Sequence, residues 1–115
     1  MPIARDRIAR IILLTLMTIA AVSLSAAPQT FAGVIVDTEC DTGDHARMRM
    51  GPTDAECARA CVEAHGASYL LYDGTQTFGL TDQKLAQQFA GRRVTVKGTL
   101  DAKARAIRVD SIAAR

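Results

Sequence analysis

Cys40, His45, Cys57 and Cys61 are the residues of this chain whose types and spacing could do chemistry. They are all three of its cysteines and one of its two histidines, within 22 consecutive positions. Three thiols cannot all pair within one chain. Either one sulfur stays free, or the sulfurs share a partner that is not sulfur. Cys57 and Cys61 are four apart, so on a helix they share a face with Cβ atoms about 5–6 Å apart. A disulfide requires about 3.8 Å. These two cannot bridge while the helix is intact, but they could grip one ion together. Cys40 must reach them from elsewhere.

Two arrangements satisfy that constraint. In the first, Cys40 bridges to Cys57 or Cys61, and closing such a loop stabilises by about 3 kcal/mol. In the second, Cys40, Cys57 and Cys61 supply thiolates and His45 a fourth ligand, a Cys₃His set suited to structural zinc. Thiolates also favour Cu(I), as do thioethers. Met48 and Met50 lie in the same segment as His45 and are accessory candidates that tilt the ion toward copper. Taken alone, each methionine reads more readily as a gap-filler against the core. Likewise, His45 alone would read as a surface residue.

The positioning elements follow from local pattern. Phe31–Asp37, with Val34, Ile35 and Val36 in succession, predicts a strand covered on both faces. Thr38–Pro52 lacks any period and predicts a loop. There Asp37, Glu39, Asp41 and Asp44 read as a solvated acidic edge, without the spacing of a calcium loop. Thr53-Asp-Ala-Glu56 is a capping box opening a helix over Asp54–His65, with Gly66 as its left-handed stop. Ala67–Tyr72 and Thr75–Leu80 predict strands about an Asp73-Gly74 type I′ turn. Thr81 can cap a short helix running to Phe89, with Leu80 and Leu85 as a hydrophobic staple and Gly91 as its stop. Val94, Val96, Gly98 and Leu100 alternate with polar residues, as do Ile107 and Val109, predicting a final hairpin with one apolar face.

This order predicts a mainly β (α+β) domain, a small five-stranded OB-like barrel. One helix is inserted after the first strand and a short one lies between the third and fourth. An α+β sandwich with an open sheet is the alternative. Phe31-Ala-Gly-Val-Ile-Val-Asp37, then Cys40, His45 and Cys57-x-x-x-Cys61-Val62, resembles small exported bacterial domains of unknown function. Gly91-Arg-Arg-Val-Thr-Val-Lys-Gly98 and the closing hairpin resemble the last strands of their OB-like fold. The likeness spans residues 28–115 for the most part and implies export and fold, not an activity. Cys57-x-x-x-Cys61-x-x-x-His65 also resembles the ligand loop of binuclear copper electron-transfer domains, but Ser68 stands where those loops carry a methionine. On a helix, moreover, Cys57 and His65 lie about 12 Å apart along the axis, too far to share a centre. A last-turn histidine favoured by the helix dipole accounts better for His65.

Residues 1–27 read as a signal peptide and 28–115 as a single domain. Arg5, Arg7 and Arg10 precede an uncharged stretch, Ile11–Ala27, and small residues end it. The stretch falls short of the about 20 apolar residues that span a bilayer. Ala26 and Ala27 suit a cleavage site and Ala32 is a second one; no cysteine stands near either for lipid attachment. The predicted location is the bacterial periplasm or exterior, with no membrane contact after cleavage. Of 14 basic and 12 acidic residues, residues 1–27 hold three and one, leaving 11 of each. A neutral domain with no Trp, two Tyr and three Phe gives no footing for nucleic acid, and Arg92-Arg93 reads as a solvated strand start. No Cys-x-x-Cys redox motif or haem-attachment motif is present.

The functional expectation is a non-enzymatic exported domain that binds copper or zinc, with a disulfide-stapled binding module, partner unknown, as the alternative. Counting thiols after denaturation separates them: the bridge leaves one free thiol, the ion leaves three. A Cys57–Cys61 linkage in the native protein would mean the helix is absent.

Overall fold

The computed structural model describes residues 27–46 and 48–115, so the predicted signal segment up to Ala26 lies outside the described residues. The elements are β1 (Gln29–Asp37), α1 (Asp54–His65), β2 (Tyr69–Tyr72), β3 (Thr77–Leu80), α2 (Gln83–Gln87), β4 (Arg93–Asp101) and β5 (Ala106–Ala114). The fold is mainly β, a five-stranded sheet with two helices. The strands are hydrogen-bonded in the order β1-β2-β3-β5-β4, and β4 returns to β1, closing the sheet into a barrel. An open sheet is thereby excluded.

All neighbouring pairs are antiparallel except β3 and β5, which meet in parallel over only two residue pairs, Gly79↔Ala106 and Leu80↔Ile107. Side-chain groups reinforce this narrow seam, with the Val109 N–H donating to Thr81 Oγ1 at 3.0 Å. The alternation along β4 holds: Val94 and Val96 are fully buried and join Ile35, Tyr69, Leu71, Phe78, Leu80 and Ile107 in one core. On β1, Ile35 enters that core. Val36, equally covered, faces the other way and lies against Gly43 of the following loop. The run of β-branched residues therefore does sit between two packed surfaces.

The α1 boundaries match the sequence pattern. The Thr53 hydroxyl accepts from the Glu56 N–H at 3.1 Å, and Gly66 takes φ +65° as the helix ends. One half of the capping box differs: the Glu56 carboxylate accepts from the Thr53 hydroxyl, at 3.0 Å. Other expectations need correction. The β2–β3 connection spans residues 73–76, since Tyr72 pairs with Thr77. It is no two-residue type I′ turn, because the Asp73 carboxylate accepts from the N–H groups of both Thr75 and Gln76 and organises a wider loop. The Asp73 carboxyl is consequently held below its ordinary value. The second helix is shorter than expected and is capped by Asp82, whose carboxylate accepts from the Leu85 N–H at 2.9 Å. A carboxylate one residue later outcompetes Thr81, whose hydroxyl is engaged with β5, and the Leu80–Leu85 staple spacing is lost with the shift.

Gln83 closes that end of the barrel. Its amide accepts from the Tyr69 N–H and donates to the carbonyls of Tyr69 and Leu80 at 2.8–3.0 Å, extending the strand ladder with a side chain. Opposite, β1 crosses so close to β2 that a Cβ on Gly33 would collide with the Tyr72 carbonyl oxygen. Neither backbone can yield without breaking β1–β2 pairing. Gly33→Ala is therefore expected to destabilise by about 2–3 kcal/mol, measured by urea denaturation; a loss below about 0.5 kcal/mol would refute the close crossing.

Candidate metal centre

The site is built where β1 ends. Asp37 is its last residue, fully buried, and its carboxylate Oδ1 accepts from the N–H groups of Glu39 and Cys40 at 2.9 and 3.1 Å. An aspartate in this role folds the chain back on itself. A Cys40 N–H bond to the Asp37 carbonyl, 3.2 Å, completes the turn, and Cys40 is turned inward with 6% exposure. A second turn follows at once: the Gly43 N–H donates to the Cys40 carbonyl, with Gly43 at φ +77°, a conformation in which a Cβ would be strained. The Asp44 carboxylate then accepts from the Ala46 N–H at 2.9 Å, and His45 between them is buried, 5% exposed.

These turns bring three donors together. One carboxylate oxygen of Asp37, the Cys40 sulfur and one ring nitrogen of His45 all lie within 4.8 Å of one another. Two atoms of this group, Asp37 Oδ2 and His45 Nδ1, are buried without a hydrogen-bond partner. A buried polar group left unsatisfied costs about 1–3 kcal/mol, and more when charged. Zinc ligands at 2.0–2.3 Å in a tetrahedron stand about 3.3–3.8 Å from each other, so a small contraction would fit the group around an ion. The Asp37/Cys40/His45 group could hold a metal ion.

The helix thiols stand beside it. Cys57 and Cys61 are both fully buried, as their shared helical face requires. No disulfide forms among the three cysteines, all of which are buried free thiols. The bridge from Cys40 to Cys57 or Cys61 that the sequence left open is not made. Cys57 is instead occupied by the loop: its sulfur accepts from the Met50 N–H at 3.2 Å, and its thiol donates to the Met48 carbonyl at 3.4 Å. An exposed Arg49–Asp54 ion pair at 3.1 Å and an Arg49 bond to the Pro52 carbonyl draw the same stretch onto the start of α1.

The sequence-predicted set is thus only partly the geometric one. Cys40 and His45 come together, whereas Cys57 and Cys61 lie outside the tight trio and Asp37 takes a place within it. Reading Asp37 as part of a solvated acidic edge is wrong, although Glu39, Asp41 and Asp44 are exposed as that reading requires. The available signal was position: an aspartate directly after three consecutive β-branched residues, three before a cysteine, is placed for a turn. Met48 and Met50 are 39% and 37% exposed, so they do not fill gaps in the core. His65 is exposed in the last turn of α1, consistent with a dipole-favoured residue. Arg93 begins β4 exposed, and Arg92 lies over the Phe89 ring.

No protein-family model, curated protein or solved structure matches this chain. Among the described residues, no helix is long and apolar enough to cross a membrane.

The electrostatics hold the Cys40 and Cys61 thiols neutral when no cation is present. Burial, then the Asp37 carboxylate and the neighbouring thiols, push Cys61 from 9.0 up to about 11. Burial and Asp37 also raise Cys40. A thiol whose pKa is raised by folding favours the native state below its unfolded pKa, and that contribution is lost as pH rises through the native value. Metal-free protein should therefore lose stability between about pH 9 and 11. Denaturant midpoints across that range, in wild type and Cys61→Ser, check this; a flat wild-type profile would contradict it.

Proposed function

We propose that this chain is an exported, non-enzymatic OB-like domain that binds one soft or borderline transition-metal ion, copper or zinc. The Asp37, Cys40 and His45 group forms the binding site, and the Cys57 and Cys61 thiols adjoin it. The observation that carries this reading is the pair of buried, unpartnered atoms Asp37 Oδ2 and His45 Nδ1 within a three-donor group that includes a thiol. Folding leaves two polar atoms buried and unpaired only at a cost, and a shared cation offsets it for both at once. A carboxylate, thiolate and imidazole set suits zinc, and the adjacent thiols add affinity for copper.

Other features support the rest of the proposal. The closed strand order, with a helix between β3 and β4, agrees with an OB-like barrel and with a likeness to exported OB-like domains. All three donors are buried, which favours binding over catalysis. The basic and apolar pattern of residues 1–27 supports export to the periplasm or beyond. β1 begins at Gln29, so cleavage after Ala27 would leave it whole, whereas cleavage after Ala32 would remove its pairing with β4 from Gln29 to Ala32. The first position is the better one.

Protein isolated from the periplasm without added reductant should carry about one ion per chain, release it to acid or chelator, and show three thiols on denaturation. A hundredfold excess of ion over Kd should add about 2.7 kcal/mol to stability. Cys40→Ser and His45→Ala should each weaken binding by more than the roughly 10–100-fold cost of losing an outer-shell partner. Isothermal titration with Zn(II), and competition titration with Cu(I), measure this. No stoichiometric binding of either ion, or affinity indifferent to both substitutions, would reject the proposal.

A further inference from the structure

Met48 and Met50 are the large apolar side chains left exposed among the described residues. They also flank the latch over the buried thiols. The Met48 carbonyl and the Met50 N–H are the two groups that hold the Cys57 sulfur. Each exposed thioether thus belongs to a residue whose backbone touches a buried thiol, and the same loop carries His45 a few residues earlier. The loop joins a solvent-facing pair of soft donors to an interior group of harder-to-reach ones. Thioether sulfur is a neutral ligand suited to Cu(I), whereas carboxylate and imidazole serve zinc as well.

We propose that Met48 and Met50 are the loading point through which Cu(I) passes to and from the Asp37–Cys40–His45 group, an inference that rests on the metal-binding reading above. Thioethers need no deprotonation, so they capture Cu(I) without competing with protons. Transfer inward is ligand exchange without electron transfer. A copper–thioether bond breaks as a copper–thiolate bond forms at Cys57, whose proton goes to water. That bond then breaks as one forms at Cys40, whose proton is released while the Cys57 thiolate takes one back from water. At Cys57 the exchange gives up the S–H bond to the Met48 carbonyl. The Met50 N–H bond to sulfur stays and stabilises the thiolate, as a hydrogen bond to a charged acceptor does. Cys57 is then a relay and a latch, and the resident ion ends at the trio.

The protein as isolated from expressing cells, reduced and anaerobic, is loaded with one equivalent of Cu(I). Stopped-flow transfer to bathocuproine disulfonate is then followed for wild type and Met48→Leu/Met50→Leu. Leucine keeps the apolar bulk and removes the sulfur, and both side chains are solvent-exposed, so folding is not at stake. The expected result is transfer slower by about tenfold with equilibrium Cu(I) affinity kept within about threefold, and Zn(II) exchange unchanged. Unchanged Cu(I) exchange in the variant overturns the loading role while leaving the metal-binding reading intact. An affinity loss as large as that of Cys40→Ser also overturns it, because the methionines would then be resident ligands. Zn(II) binding without Cu(I) binding overturns the copper inference alone; binding of neither ion sinks both readings.

Discussion

The carboxylate of Asp37 divides its two oxygens between two tasks, and the candidate centre depends on that division. Oδ1 accepts two backbone N–H groups and turns the chain at the end of β1. Oδ2 is buried with nothing to bind. Without the first task Cys40 would not face inward, and without the second there would be no unsatisfied negative end beside it. The barrel supplies the rigidity: β1 is paired to β4 through Val34 and to β2 from Val34 to Asp37, which pairs with Tyr69, so the strand end from which the turn departs is fixed.

The loop from Cys40 to Thr53 is held by a different logic. It has no ladder of its own, so its order comes from small local ties. Carboxylates at Asp37 and Asp44 organise successive turns, Arg49 binds Asp54 and the Pro52 carbonyl, and Cys57 receives the Met50 N–H. Each exposed tie contributes little alone. Together they close the loop over helix α1 with His45 beneath and the methionines outside. Loops of this kind sit at the low end of local stability, whereas the barrel behind this one is closed.

Much of the fold was legible locally because local rules decided it. Asp54–His65 was readable to the residue from Thr53, Glu56 and Gly66, since capping is settled within a single turn of chain. The alternation of Val94 and Val96 likewise announced an apolar strand face. Errors arose where two local signals competed. Thr81 and Asp82 are both capping residues, and the engagement of Thr81 with β5 decided between them. Asp73-Gly74 looked like a tight turn, but the Asp73 carboxylate prefers two later N–H groups and widens it. The Gln83 ladder between helix and strand left no pattern in sequence at all, because its partners are backbone groups.

The amino-acid sequence by itself determined that Cys57 and Cys61 share a helical face, that they cannot bridge each other, and that Cys40 must come from the preceding loop. Helical geometry and sulfur chemistry suffice for those conclusions. Only the tertiary structure decided which groups meet. Asp37 joined Cys40 and His45, Cys57 went to the loop backbone, and the methionines went to the surface. Burial is the physical reason: whether a carboxylate is solvated or stranded depends on what covers it, and its cover here comes from residues distant along the chain.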